Sequence, residues 1–217
     1  MATVTDVKRH AARVVQRLGR QYPDATCSLD FQTPLELLVA TILSAQCTDD
    51  RVNQVTKGLF RKYPTAAHYA SAPLSGLERD IRSTGFFRNK ARHIKDCCQV
   101  LVEKYDGKVP NQIEKLTELP GIGRKTANVV LGTAFAIASG VVVDTHVARV
   151  SRRLGLTQQK DPEKIERDLT ELVPKREWIA LGHRMIQHGR RCCTARKPNC
   201  PGCPLLSVCP RIGVDTT

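Results

Sequence analysis

Hydrophobic positions recur at helical spacing almost from the start of the chain. Val7, Ala11, Val14, Val15 and Leu18 fall on one stripe, with Lys8, Arg9, Arg13, Arg17 and Arg20 between them. The run predicts an amphipathic helix of the fold, although its arginines also resemble a transit sequence. Thr33-Pro34-Leu35-Glu36 then joins an N-cap, a proline suited to the first helical turn and a capping-box glutamate ahead of LLVATILSA. Asp161-Pro162 opens a second helix, DPEKIERDLTELV, in the same way. The apolar period predicts further helices over 48–62, 73–82, 88–105, 111–118, 124–138, 145–154 and 175–188. Period-two alternation is nearly absent, and Val141-Val142-Val143 is too short to build a sheet. The expected fold class is all-α, with loops of ordinary length.

Composition narrows the partner. The 217 residues hold 34 Lys and Arg against 21 Asp and Glu, a formal charge of +13 that favours a polyanion such as nucleic acid. No apolar run approaches the ~20 residues that span a bilayer, and the N-terminus has no apolar core of a secretory leader. A membrane role is therefore not expected. No repeat, low-complexity tract or linker is visible. The one shift in composition comes near residue 189, where HGRRCCTARKPNCPGCPLLSVCPRIG becomes rich in Cys, Pro and Arg.

The stretch LPGIGRKTANVV, 119–130, carries the first candidate chemistry. It reads as helix, glycine turn, helix, with Leu116, Leu119 and Ile122 packing the turn. Gly121 and Gly123 are expected to supply positive φ and to leave out the Cβ atoms that would hold a phosphate away. Free amides at the start of the next helix then suit an anion, a contact that reads backbone and not base. Lys125 is either one more phosphate contact or an amine nucleophile able to form a Schiff base with an aldehyde-level carbon. As a nucleophile it must be neutral, whereas free lysine titrates near ~10.4. The positive end of the helix, the neighbouring Arg124 and burial would each favour the neutral form. In GVVVDTHVARV, Asp144 follows three valines and begins a helix. It reads as an N-cap by itself, and as an anion near the reacting carbon beside LPGIGRK; one carboxylate can serve both purposes.

Five of the nine cysteines fall in the last 26 residues, which suggests a metal site in a reducing compartment more than a disulfide framework. Cys193, Cys200, Cys203 and Cys209 stand as C-x6-C-x2-C-x5-C, and four thiolates in this spacing suit zinc or a [4Fe–4S] cluster. Cys192 is off register and reads as a non-ligand. Arg190, Arg191, Arg196 and Lys197 flank the first ligands without an acid among them, as a basic ridge for phosphates or as a solvated charge run.

LPGIGRKTA followed some twenty residues later by VDTH resembles the helix-hairpin-helix DNA glycosylases, specifically the endonuclease III group. The resemblance runs from PLELLVATILSAQCTD to the terminal cysteines. It implies a two-lobed fold: a six-helix barrel, 23–138, and a discontinuous iron–sulfur domain, 1–22 with 139–217, with a DNA cleft between. It chooses [4Fe–4S] over zinc for the four cysteines. It also implies that Lys125 attacks C1′ of a damaged nucleotide with Asp144 assisting, and that the Schiff base permits β-elimination of the 3′ phosphate. In LSAQCTD, Gln46 matches the family's plug for an opened duplex; in STGFFRNKARHI, Phe86 occupies its apolar wedge position. The double phenylalanine departs from the commoner pattern and leaves Phe86 and Phe87 both eligible. The activity so implied is a bifunctional glycosylase and abasic-site lyase for oxidised pyrimidines in double-stranded DNA, monomeric and cytoplasmic. The alternatives are a monofunctional mismatch-specific glycosylase, or a non-catalytic, metal-stabilised DNA-binding protein.

Overall fold

The computed structural model describes residues 4–214, so the ends of the expected outer domain, 1–3 and 215–217, lie outside the described residues. Eleven α-helices and three 3₁₀ turns make up the described secondary structure, with no strand among them. The chain divides into two compact units. One is Ser28–Ile137; the other joins the chain up to Cys27 with that from Ala138 onward.

In the first unit, α2 (Pro34–Leu43), α3 (Asp49–Lys62), α4 (Ala66–Ser71), α5 (Leu74–Asp80), α6 (Phe87–Tyr105), α7 (Ile113–Thr117) and α8 (Arg124–Phe135) follow one another. Thr33 caps α2 by accepting from the amide of Glu36, and the Glu36 carboxylate accepts from the amide of Gln32, one residue ahead of the cap. α2 carries the centre of this unit, being buried continuously from Leu37 to Leu43. α6 buries Lys90, Ala91, Ile94, Cys97, Cys98 and Leu101 along one stripe, with a lysine standing where the period demands an apolar residue. α8 stops at Phe135, short of the expected residue 138. Ala136 turns left-handed at φ 54°, and its amide and that of Ile137 both bond back to the carbonyl of Leu131.

The second unit holds α1 (Val4–Gln21), α9 (Thr145–Arg153), α10 (Pro162–Leu172) and α11 (Trp178–Arg191). Its core gathers Ala11, Val14 and Leu18 of α1, Val147 and Val150 of α9, Ile165 and Leu169 of α10, and Leu181 and Met185 of α11. Val141 and Val143 enter that core from a segment without regular secondary structure. Residues 175–177 form a 3₁₀ turn where a continuous helix was expected, and the last α-helix begins only at Trp178.

Candidate active site and metal centre

The two glycines of the hairpin do different things. Gly121 has φ +78°, and a Cβ built there would lie 2.7 Å from Cγ of His93, so this position requires glycine. Gly123 corrects the expectation of positive φ: it is extended at φ −89°, and a Cβ there would meet open space. Neither backbone strain nor packing calls for glycine at 123. As the N-cap of α8 it also provides no side-chain hydrogen bond to the first turn. That turn holds Arg124 and Lys125 and no acid, which opposes the usual preference for negative charge at a helix N-terminus. Amides, helix dipole and two cations therefore converge on one exposed corner suited to an anion. Lys125 is exposed, against the expectation of burial, and has no ion pair among the described residues.

Asp144 does cap α9. Its Oδ1 accepts from the amides of His146 and Val147, both at 2.8 Å. Oδ2 has no hydrogen bond to a described residue, so one carboxylate oxygen positions the side chain and the other is available. The helix that it begins is fastened to the cysteine loop by two arginines. Arg149 donates to the carbonyls of Cys193 (3.1 Å) and Gly189 (2.9 Å). Arg153 donates to the carbonyls of Thr194 (2.7 Å) and Ala195 (2.9 Å) and approaches Sγ of Cys193 at 3.3 Å.

Cys193, Cys200, Cys203 and Cys209 line one small pocket with Cys192, His188, Leu154, Leu205 and Val214. Burial pushes the Cys203 thiol up to about 12 and raises that of Cys209, so thiolates here need a bound cation or cluster to compensate them. The amide of Leu205 donates to Sγ of Cys203 at 3.4 Å, a contact that favours the thiolate. His188, missed in the sequence, is buried beside this pocket. Its Nδ1 is 2.9 Å from the Tyr22 hydroxyl and its Nε2 is 3.8 Å from Sγ of Cys203; burial lowers its titration to about 4. The potential ligand atoms of His188, Cys192 and Cys203 lie within 4.8 Å of one another, which puts Cys192, expected to be a non-ligand, among the candidate donors, although its sulfur also approaches the carbonyl of Asn199. Arg190, Arg191, Arg196 and Lys197 are all exposed on the surrounding segment.

Gln46 and Phe86 are both exposed and both left-handed, at φ 52° and 47°, as are Asp106, Ala136 and Arg211 elsewhere. Phe86 is 63% exposed, the most of any large apolar residue described. Phe87 is half-buried, with the Arg88 guanidinium 5.7 Å above its ring. A bulky residue held at positive φ with its ring in water is unfavourable on both counts. Behind these loops lies Lys90, only 4% exposed, whose ammonium donates to the carbonyls of Leu43 and Thr84, each at 2.8 Å.

Comparison with known proteins gives one consistent picture. The family profile described as HhH-GPD superfamily base excision DNA repair protein matches residues 39–175. Endonuclease III of Synechocystis sp. is 55% identical over 203 residues, covering 94% of this chain and 93% of that protein. Two solved structures, a non-covalent endonuclease III–DNA complex and a trapped endonuclease III–DNA covalent intermediate, each superpose with a TM-score of 0.90 at 48% identity, over 97% of both chains. No helix among the described residues is long and apolar enough to cross a membrane.

Proposed function

The chain belongs to the endonuclease III family of HhH-GPD base excision DNA repair proteins and is a DNA glycosylase with abasic-site lyase activity; from this premise we propose that it excises oxidised pyrimidines from double-stranded DNA through a Schiff base on Lys125. The observation that carries the reading is the first turn of α8, where uncapped amides and two cations meet without an acid. The amides from Gly123 onward and Arg124 grip a backbone phosphate, and the glycine lets that phosphate approach. Lys125 attacks C1′. The C1′–N bond breaks and the base leaves with the bonding electrons, taking a proton. Sugar-ring opening gives the protonated Schiff base. Loss of a C2′ proton then breaks the C3′–O bond, and the 3′ phosphate departs. Asp144 contributes its free oxygen, either against positive charge developing at the sugar or as the proton carrier. Relatives trapped on DNA as a covalent intermediate support this route.

Gln46 and Phe86 are the residues that enter the opened duplex, since extruding a nucleotide costs a few kcal/mol and leaves a gap to fill. Phe86 takes this role over Phe87 because its ring is uncovered. Arg190, Arg191, Arg196 and Lys197 contact phosphates. Cys193, Cys200, Cys203 and Cys209 hold a [4Fe–4S] cluster; the shared pocket and the cost of burying uncompensated thiolates fit that assignment. When bound, such a cluster cross-links residues 193–209 and so holds the basic segment and the carbonyls that Arg149 and Arg153 grip. Ser28–Ile137 corresponds to the barrel domain and the remainder to the cluster domain. The protein works as a monomer in the cytoplasm. A panel of duplexes carrying single lesions, assayed for nicking, tests the reading: oxidised pyrimidines and abasic sites are expected to be cut, and Asp144→Asn to slow base release by about a hundredfold or more. Base release without any nicking would leave only a monofunctional glycosylase.

A further inference from the structure

We propose that Lys90 is a positioning residue that couples the two duplex-opening loops, setting the Gln46 and Phe86 side chains as one unit. The inference rests on the reading of Gln46 and Phe86 as insertion residues and goes beyond it by assigning what holds them. One ammonium donates to the carbonyl of Leu43, the last residue of α2, and to that of Thr84, the last residue of the 3₁₀ turn Arg82–Thr84. Those carbonyls lie just upstream of Gln46 and Phe86, which are both exposed and left-handed. The backbone amide of Lys90 donates to the carbonyl of Phe86 at 3.1 Å, the first i→i−4 bond of α6, so the clamp sits one helical turn from the second loop.

A buried ammonium is a poor choice for stability. With two carbonyls as its acceptors and no carboxylate among them, Lys90 loses hydration, and burial lowers its titration accordingly. Position 90 sits in register with Ile94, Cys97 and Leu101, where an apolar residue would serve the core. What a lysine offers there is several donors at one point. It fastens two loops, otherwise far apart in sequence, to a common atom. Without that tether each strained turn could relax independently to negative φ and lose its aim. The strain is maintained by the clamp, and a shift of about 1 Å in an insertion residue suffices to cost about a hundredfold in rate.

The test uses the full-length protein and a duplex with 2-aminopurine opposite a tetrahydrofuran abasic analogue, whose fluorescence rises as the base unstacks. Wild type is expected to raise the signal, and Gln46→Ala with Phe86→Ala to abolish the rise. Lys90→Met, which keeps side-chain length without a donor, should lose it to the same extent, and adding Lys90→Met to the double variant should change nothing more. Base release under single-turnover conditions should fall about tenfold to a hundredfold. Nicking of single-stranded abasic DNA, which needs no opening, should be undiminished, and Lys90→Gln should recover part of the signal through its amide. A wild-type signal from Lys90→Met while the loop double variant loses it overturns the coupling and leaves the insertion reading standing. A wild-type signal from the loop double variant removes that reading and this proposal with it. Should Lys90→Met not fold, hydrogen exchange in the wild-type protein decides: the amides of Cys47 and Gly85, bonded to the carbonyls of Ser44 and Arg82, should open with one common protection factor. Independent opening of the two overturns the proposal.

Discussion

At Gly123 and Lys125 the needs of the helix and of the reaction conflict. Serine at an N-cap satisfies a first-turn amide that Gly123 leaves open, so Gly123→Ser should raise unfolding stability by a few tenths, about 0.3 kcal/mol. The same Cβ and hydroxyl would stand where the phosphate approaches. DNA affinity measured by fluorescence anisotropy should therefore fall while the melting temperature holds or rises. Gly121→Ala should behave in the opposite way, with strain and the His93 clash lowering the melting temperature of the free protein. Removing one of two cations from the positive end of α8 should likewise make Lys125→Ala more stable, by about 0.3–1 kcal/mol, as the enzyme loses its nucleophile. The N-cap role of Asp144 and the gathering of the four cysteines around one pocket were legible, because chemistry dictates residue type there at fixed spacing. The exposure of Lys125 and the extended backbone of Gly123 were not, because both depend on how the turn is approached in space. Lys90 left a trace, a lysine on an apolar stripe, that helical periodicity alone could have exposed.

Individual helices were readable wherever a cap and a long apolar period coincided, as at Thr33, Asp144 and Asp161. α4 was missed because Ala66–Ser71 spans too few residues to display a period. The end of α8 was placed too late because its stop signal is Ala136 in the left-handed region, not the glycine that usually marks it. That alanine is a local cost, and Ala136→Gly should stabilise the protein by about 1 kcal/mol in chemical denaturation, without change in DNA nicking. At the other end of the chemistry, Arg153 joins α9 to residues 193–195 through three contacts. Arg153→Ala should cost about 2–4 kcal/mol and lower the iron content of purified protein, read by elemental analysis. Stability loss with full iron content would confine Arg153 to packing.

Across the whole molecule, the all-helical class followed from periodicity, and the polyanionic partner from a charge of +13. The discontinuous division of the chain did not, since α1 packs against Val147, Ile165 and Met185 without any compositional mark of the crossing. Stability should vary with pH through His183, whose titration burial lowers. Above its unfolded value near ~6.5 both states are neutral there and the contribution is intact. As pH falls below that, the unfolded chain takes up a proton that the folded one resists, so stability declines toward the folded value. His183→Gln should flatten this slope in denaturation curves between about pH 6.5 and 5; an unchanged slope would assign the decline to other groups.

The account turns on a covalent bond between one amine and one sugar carbon. Borohydride reduction of the wild-type protein on a duplex with a single abasic site, followed by proteolysis and mass spectrometry, reads that bond directly. The adduct should map to the peptide containing Lys125 and vanish in Lys125→Ala. No adduct with wild type, or an undiminished adduct in Lys125→Ala, would contradict the account.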